Sequence, residues 1–271
     1  MDPVRTVARA ETGWVALGAS VRGTQHLERE QPNQDAVAWS SLEESGGPIV
    51  VAVADGHGSA RHPRSGEGAR LAVGIAVAAV ETWLRTAPEA DSGETLPEAI
   101  RDAWQASVES HLAQHPVENG PPPTRFDAYL LYGTTLLVAG IGRGRLLCLQ
   151  VGDGDILALR PDGTLIRPLP ASPDCFDNYT DSLCQEDAAE RFRVALVEGD
   201  VALLLLASDG YGNSYEDDAA FEEIGPDYLA LLNRVGPERV AAGLPGWLAE
   251  ITRTGSGDDI TLGLLWVPPP G

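Results

Sequence analysis

Ile49–Gly58, IVVAVADGHG, can occupy few places in a folded chain. Its first six residues, Ile49 to Ala54, are all apolar and small or branched, with no polar alternation. That is the pattern of a strand buried on both faces. The strand runs straight into Asp55-Gly56-His57-Gly58, so a carboxylate and an imidazole stand at the tip of a rigid element. Gly56 permits a sharp turn and leaves its carbonyl open to a ligand. Asp-Gly alone is an ordinary turn dipeptide, and the chain has four, at Asp55, Asp153, Asp162 and Asp209. The repetition matters because the apolar strand Val201–Ala207 also ends in an acid, at Ser208-Asp209-Gly210. The last strand opens on a third acidic group, Asp258-Asp259-Ile260-Thr261.

Around these strands the pattern alternates in blocks. Trp14–Val21 reads as a first strand, Arg22–Asn33 as a polar loop, and Asp35–Ser40 as a second strand. Glu43–Pro48 reads as a turn, and residues 59–68 as another polar loop. Helical spacing runs from Ala69 to Arg85, with Leu71, Ile75, Ala78, Ala79 and Trp83 on one side. A second helix follows Thr95, which is placed to cap it with Glu98 reaching back. Its stripe is Ile100, Trp104, Val108 and Leu112, and such stripes pack on a sheet. Gly120–Thr124 breaks the helical region. The strands Thr134–Ile141 and Arg145–Val151 flank a hairpin signal at Gly142–Gly144. Ile156–Arg160 and Thr164–Arg167 flank another, Pro161-Asp162-Gly163. Pro168–Arg191 reads as a long irregular insertion. Strands at Phe192–Val197 and Val201–Ala207, a polar acidic stretch at Tyr211–Glu222, helices at Pro226–Val235 and Pro237–Thr254, and a strand at Ile260–Val267 complete the order. Hairpins dominate, so the strands are expected to be antiparallel. Two sheets face to face with helix pairs outside would bury both sets of apolar faces. The fold class is therefore α+β, a four-layer α-β-β-α sandwich, in one domain spanning residues 1–271 with its core at about 14–266.

Composition narrows the partners. The chain of 271 residues carries a formal net charge of -21, and all 19 of its basic residues are arginine. Such a surface repels nucleic acid and anionic membranes. No apolar run reaches the ~18–20 residues of a membrane span, and MDPVRTVARAETG lacks the apolar centre of a signal peptide. Cys148, Cys175 and Cys184 show no metal-ligand spacing, so free thiols in a reducing cytoplasm are expected, with Cys148 buried in its strand.

Asp35, Asp55, Asp209 and Asp258 all lie at strand ends. If those ends converge, four carboxylates crowd together, and they cannot all stay ionised without compensation. Protonation is one answer and a cation the other. The donors are hard oxygens, which favour Mg²⁺ or Mn²⁺ over zinc. Two such ions suit in-line displacement at phosphorus by an activated water. His57 is then placed to donate a proton to a leaving alkoxide; a solvated surface histidine is the other reading of that residue.

Taken in order, the motifs resemble those of the metal-dependent protein phosphatases of type 2C. NQDA at Asn33–Ala36 resembles the family's first acidic motif, ADGHG at Ala54–Gly58 its DGH motif, and YGTTLLVAGI at Tyr132–Ile141 its GTT strand. VGDGDILAL at Val151–Leu159 resembles the GDS strand, LLASDGYGNS at Leu205–Ser214 the (T/S)DG motif, and GSGDDITLGLL at Gly255–Leu265 the final motif. SVRGTQH and SDGYGNS look closest to a bacterial branch often found alongside protein kinases.

The resemblance implies a two-metal centre. Asp55 would bridge both ions and the Gly56 carbonyl would bind one. Asp209 and Asp258 would hold the other, Asp35 would act on the second directly or through water, and His57 would be the general acid. It also implies a serine/threonine phosphoprotein as substrate, with a cognate kinase. Several positions depart from the family. Glu30 stands where an arginine usually clamps phosphate, which leaves His26 as the expected substrate-binding residue, with Arg22 and Arg29 as competitors. Gln34 replaces a Glu, Asp259 replaces an Asn, and Gly152-Asp153-Gly154-Asp155 lacks the usual Ser and Arg. A third-metal acid has no clean match, Asp127 lying farther upstream. The expected function is thus Mn²⁺- or Mg²⁺-dependent hydrolysis of phosphoserine and phosphothreonine on proteins. The alternatives are a catalytically silent module that binds a kinase or phosphoprotein, and a phosphatase of small phosphorylated molecules.

Overall fold

The computed structural model describes residues 7–10, 13–40, 47–117, 123–169 and 180–269. Its strands form two sheets, antiparallel throughout. The six-stranded sheet is ordered β1 (Val7–Arg9), β2 (Val15–Val21), β11 (Ile260–Trp266), β10 (Leu203–Ala207), β7 (Asp155–Leu159), β8 (Leu165–Ile166). The five-stranded sheet is ordered β3 (Ala36–Trp39), β4 (Ile49–Ala54), β5 (Leu136–Gly142), β6 (Arg145–Val151), β9 (Arg193–Leu196).

The apolar residues sort by strand parity into three layers. Ile49, Val51 and Val53 of β4 meet Leu204 and Leu206 of β10 between the sheets. Val50, Ala52 and Ala54 face the other way, onto α2 (Ser65–Thr86) and α3 (Leu96–Gln114). Leu203, Leu205 and Ala207 likewise face α8 (Ile224–Val235) and α9 (Pro237–Thr254). Three apolar layers separate four structural ones, as expected, and β4 is wholly buried because each face of its sheet is covered. The β5–β6 hairpin turns on Arg143 (φ 52°) and Gly144 (φ 73°), a two-residue turn with both central residues left-handed.

The helical detail differs from the expectations. The loop at 22–33 contains α1 (Thr24–Glu28), α4 (Arg125–Leu130) precedes β5, and α5 (Ala188–Arg191) closes the long insertion. The acidic stretch after β10 holds α6 (Asp209–Gly212) and α7 (Asp218–Glu222), the latter capped by the Asp217 carboxylate accepting from the Ala220 N–H at 2.8 Å. Helix α2 starts at Ser65, and of the expected stripe Trp83 is buried while Ala78 is exposed and Leu71, Ile75 and Ala79 pack only at the margin; the rest of the buried face is Ala69, Ala72, Val73, Ala76, Val77 and Val80. Small residues let the helix lie close on the sheet, where a Cβ on Gly140 would stand 2.9 Å from Val80. Thr95 does not cap α3; its backbone is already helical, and Asp91 closes the preceding turn by accepting from the Gly93 N–H at 2.8 Å. The turn at 43–48, the break at 120–124 and most of the insertion before residue 180 lie outside the described residues. No helix among them is long and apolar enough to cross a membrane. Cys148 and Cys184 are buried free thiols, and Cys175 falls outside the described residues.

Candidate active site

Strand register assembles the acids. Ala36 pairs with Ala54, so Asp35, one residue before β3, comes beside Asp55, one residue after β4. In the other sheet Ala207 pairs with Leu262, and the Ser208 N–H donates to the Thr261 carbonyl at 3.0 Å. Asp209 and the Asp258-Asp259 pair therefore leave the same end of the sandwich. The GTT segment fixes Asp55: its carbonyl accepts from the Thr135 N–H and the Thr134 hydroxyl, both at 2.8 Å, and its own N–H donates to Thr135 Oγ1 at 3.0 Å.

A cavity of about 650 Å³ opens at this end. Asp55, His57, Asp209 and Asp258 line it, together with Arg61, His62 and Asp153. Asp35 lies beneath, 7% exposed, and Asp35 Oδ2 has no hydrogen-bond partner among the described residues. Burial, then the Asp259 and Asp209 carboxylates, push the Asp35 carboxyl up to about 8, while the Thr261 and Ser208 hydroxyls pull the other way. Burial, then Asp35 and Asp209, raise Asp55 well above the carboxylate range. Burial also raises Asp153, with Asp209 adding to it, and Asp258. The His57 imidazole moves the opposite way, down to about 4. Burial is the main cause, the His62 ring with its centroid 5.0 Å away adds to it, and Asp209 opposes.

His26 does not line the cavity. It is buried on α1 with Nδ1 2.9 Å from Asp259 Oδ2, at ion-pair distance but outside hydrogen-bond alignment, and Nε2 3.7 Å from Asp258 Oδ1. Arg22 donates to the His26 carbonyl at 2.9 Å and Arg29 to Gln25 Oε1 at 3.4 Å. Neither lines the cavity. Asp153, Arg61 and His62 are the wall residues that sequence reasoning passed over as site residues. Asp153 is visible there as a turn dipeptide and as part of the GDS-like segment but carries no site role, and Arg61 and His62 sit in a polar loop without periodicity.

Among the described residues, no three His, Cys, Asp or Glu side chains stand as a ready-made ligand group. The donor chemistry nevertheless fits a hard divalent cation. Asp209 raises the proton affinity of both Asp35 and Asp55, Asp35 raises that of Asp55 further, and one buried Asp35 oxygen lacks a hydrogen-bond partner among the described residues. A divalent ion relieves both conditions, since it offsets the repulsion and supplies the missing partner.

An α-β-β-α sandwich with acids gathered at one end of its sheets defines a phosphatase-fold protein. Residues 22–249 match the Protein phosphatase 2C family, to which this chain belongs. A search of curated proteins returned no match. Among solved structures, the chain is similar to the catalytic domain of the serine/threonine protein phosphatase PstP in complex with two manganese ions. The identity is 18%, the coverage 94% of this chain and 99% of that one, and the TM-score 0.56. It is similar also to PppA, a regulatory component of T6SS in Pseudomonas aeruginosa, at 19% identity, 96% and 99% coverage and TM-score 0.56. RsbX in complex with magnesium matches at 15% identity, 96% and 98% coverage and TM-score 0.54. At these identities the likeness shows the shared fold.

Proposed function

We propose that the chain is a Mn²⁺- or Mg²⁺-dependent phosphatase acting on phosphoserine and phosphothreonine of proteins. The observation that carries this reading is the gathering of Asp35, Asp55 and Asp209, from both sheets, at one open cavity that Asp55, Asp209 and His57 line. Asp55, the Gly56 carbonyl, Asp209 and Asp258 would hold the ions, with Asp35 acting on one of them directly or through water. Divalent ions at such a site supply Lewis acidity at the phosphoryl oxygens and at an attacking water. The manganese and magnesium in the PstP and RsbX structures support that choice of cation.

The remaining roles belong to this chain's own side chains. Asp259 accepts from the Gly23 N–H and the Gln34 N–H, both at 2.7 Å, and so ties α1 and the segment before β3 to the start of β11. His26 acts through Asp259 and Asp258, holding Asp258 at the rim. His57 is neutral near pH 7 in the free site. It donates a proton to the departing alkoxide after a phosphate dianion beside it has raised its proton affinity. A phosphorylated protein with its cognate kinase in the cytoplasm is the setting we infer, and the buried free thiols of Cys148 and Cys184 support that compartment.

Hydrolysis of an aryl phosphate and of a phosphoserine peptide, with Mn²⁺, with Mg²⁺ and with chelator, tests the reading. Turnover should require the cation, and Asp55→Asn and Asp209→Asn should each reduce it to background. Undiminished hydrolysis in chelator would overturn the metal-dependent mechanism.

A further inference from the structure

The wall of the cavity is strongly one-signed. Asp55, Asp153, Asp209 and Asp258 face it, Arg61 is the one arginine on it among the described residues, and the chain contains no lysine. Arg61 is exposed, and among the described residues its guanidinium has no hydrogen-bond or ion-pair partner. Its neighbours, in contrast, are held. The Arg61 N–H donates to Ser59 Oγ at 3.3 Å and the His62 N–H to the Ser59 carbonyl at 2.9 Å. The His62 Nδ1–H donates to the Leu130 carbonyl at 2.5 Å, which fixes that ring's tautomer, because a carbonyl can only accept. The Arg64 N–H donates to the Leu131 carbonyl at 2.9 Å, and the Arg64 guanidinium to the His115 carbonyl at 2.6 Å and the Tyr132 hydroxyl at 2.8 Å. The turn before α2 is thus anchored on both sides of residue 61 while its guanidinium stays unengaged. Elsewhere arginines are taken up by carboxylates, as in Arg70–Glu67, Arg125–Glu109 and Arg167–Asp155.

An unengaged guanidinium on the same cavity wall as four aspartates suits a ligand more negative than they are. A phosphate monoester dianion is such a ligand, and its oxygens match the fork of guanidinium donors. The other candidates are occupied: His26 with Asp259, Arg22 with the His26 carbonyl, and Arg29 with Gln25. We propose that Arg61 binds the phosphoryl group of the substrate, and the phosphate product after it, and so sets affinity rather than proton transfer. The proposal rests on the phosphatase reading above.

Steady-state kinetics of Arg61→Ala and Arg61→Lys on an aryl phosphate, with inorganic phosphate as inhibitor, test it. For Arg61→Ala, KM and the phosphate inhibition constant should rise together by about 10- to 100-fold, the worth of a charge-assisted contact. The fall in kcat should be smaller, and melting temperature and Mn²⁺ affinity should not change. Arg61→Lys should recover part of the loss. Unchanged KM and inhibition constant in Arg61→Ala would overturn the proposal. So would a rise confined to phosphopeptide substrates, because Arg61 would then contact the peptide instead. If the wild-type chain hydrolyses nothing with either cation, the phosphatase reading falls. Calorimetric titration of the Mn²⁺-loaded chain with inorganic phosphate then decides Arg61 separately. Binding lost in Arg61→Ala supports it, and equal binding or none refutes it.

Discussion

Asp259 and Asp35 are both buried, and their surroundings treat them differently. Asp259 is 3% exposed, yet it accepts two backbone N–H groups at 2.7 Å and faces the His26 ring. Asp35 is nearly as buried, but among the described residues one of its oxygens has no hydrogen-bond partner, and its carboxyl is pushed up to about 8. Burial raises Asp35 first, the Asp259 and Asp209 carboxylates add to it, and the Thr261 and Ser208 hydroxyls offset only part of the rise. His57 follows the same rule with the opposite sign, because burial disfavours its cation. This makes its role testable by leaving group. If His57 protonates the departing alkoxide, His57→Ala should lose about 10²–10⁴-fold in turnover on a phosphoserine peptide. An aryl phosphate departs without that proton and should lose much less. Equal losses on both substrates would mark His57 as a residue that only shapes the wall.

At the scale of elements, close approach of backbones positions the site. Gly68 in the first turn of α2 sits against the segment that leads into the GTT strand: an added Cβ would lie 1.9 Å from the Tyr132 carbonyl. The Gly68 carbonyl also accepts from the Trp104 indole at 3.0 Å, which ties α2 to α3. Gly74, two turns on, is exposed and an added Cβ there meets nothing within 4 Å. Gly68→Ala should therefore destabilise by about 1–3 kcal/mol or more through overpacking against rigid backbone. Gly74→Ala should stabilise by about 0.5–1 kcal/mol through helix propensity alone. Denaturant unfolding of the two variants tests this, and a stable Gly68→Ala would show that α2 can shift away from Tyr132. The same contrast explains what could be read without coordinates. β4 and β10 were legible because both of their faces are apolar, and the acids at their ends followed from where the runs stop. α1 was not, since Thr24–Glu28 has no apolar period. It is held by tertiary partners instead: the Gln25 N–H donates to the Gly257 carbonyl at 2.8 Å and the Thr24 N–H to Thr252 Oγ1 at 3.3 Å. β1, three residues at a sheet edge, is too short for a periodic signal. Arg61 was hidden for another reason: its surroundings come from segments remote in the chain, so only the cavity reveals it, whereas Asp153 was legible in a motif but not as part of the cavity wall.

For the whole molecule, the gathered acids make stability depend on pH and on cations. Asp35, Asp55, Asp153 and Asp258 all hold protons more tightly when folded than their ordinary values, chiefly through burial. Between about pH 4 and pH 8 the unfolded chain has released protons that the folded site still binds. Stability of the metal-free protein therefore falls as pH rises through that window. His57 opposes this, because its lowered proton affinity costs stability only as pH falls from its ordinary value toward about 4, but it is one group against four. The net charge of -21 adds self-repulsion in the same direction as the acids. A divalent cation that binds the ionised carboxylates reverses the trend, since it stabilises the folded state by mass action and competes with fewer protons at higher pH. Melting of the chelator-treated protein should therefore occur at a higher temperature at pH 5.5 than at pH 8. Saturating Mn²⁺ should raise the melting temperature more at pH 8 than at pH 5.5. Asp35→Asn removes a buried carboxyl whose proton affinity is strongly raised, so it should flatten the metal-free pH dependence and shrink the Mn²⁺ gain together. A melting temperature in chelator that rises from pH 5.5 to pH 8, or an Mn²⁺ gain independent of pH, would show that these acids are not the groups that couple folding to the cation.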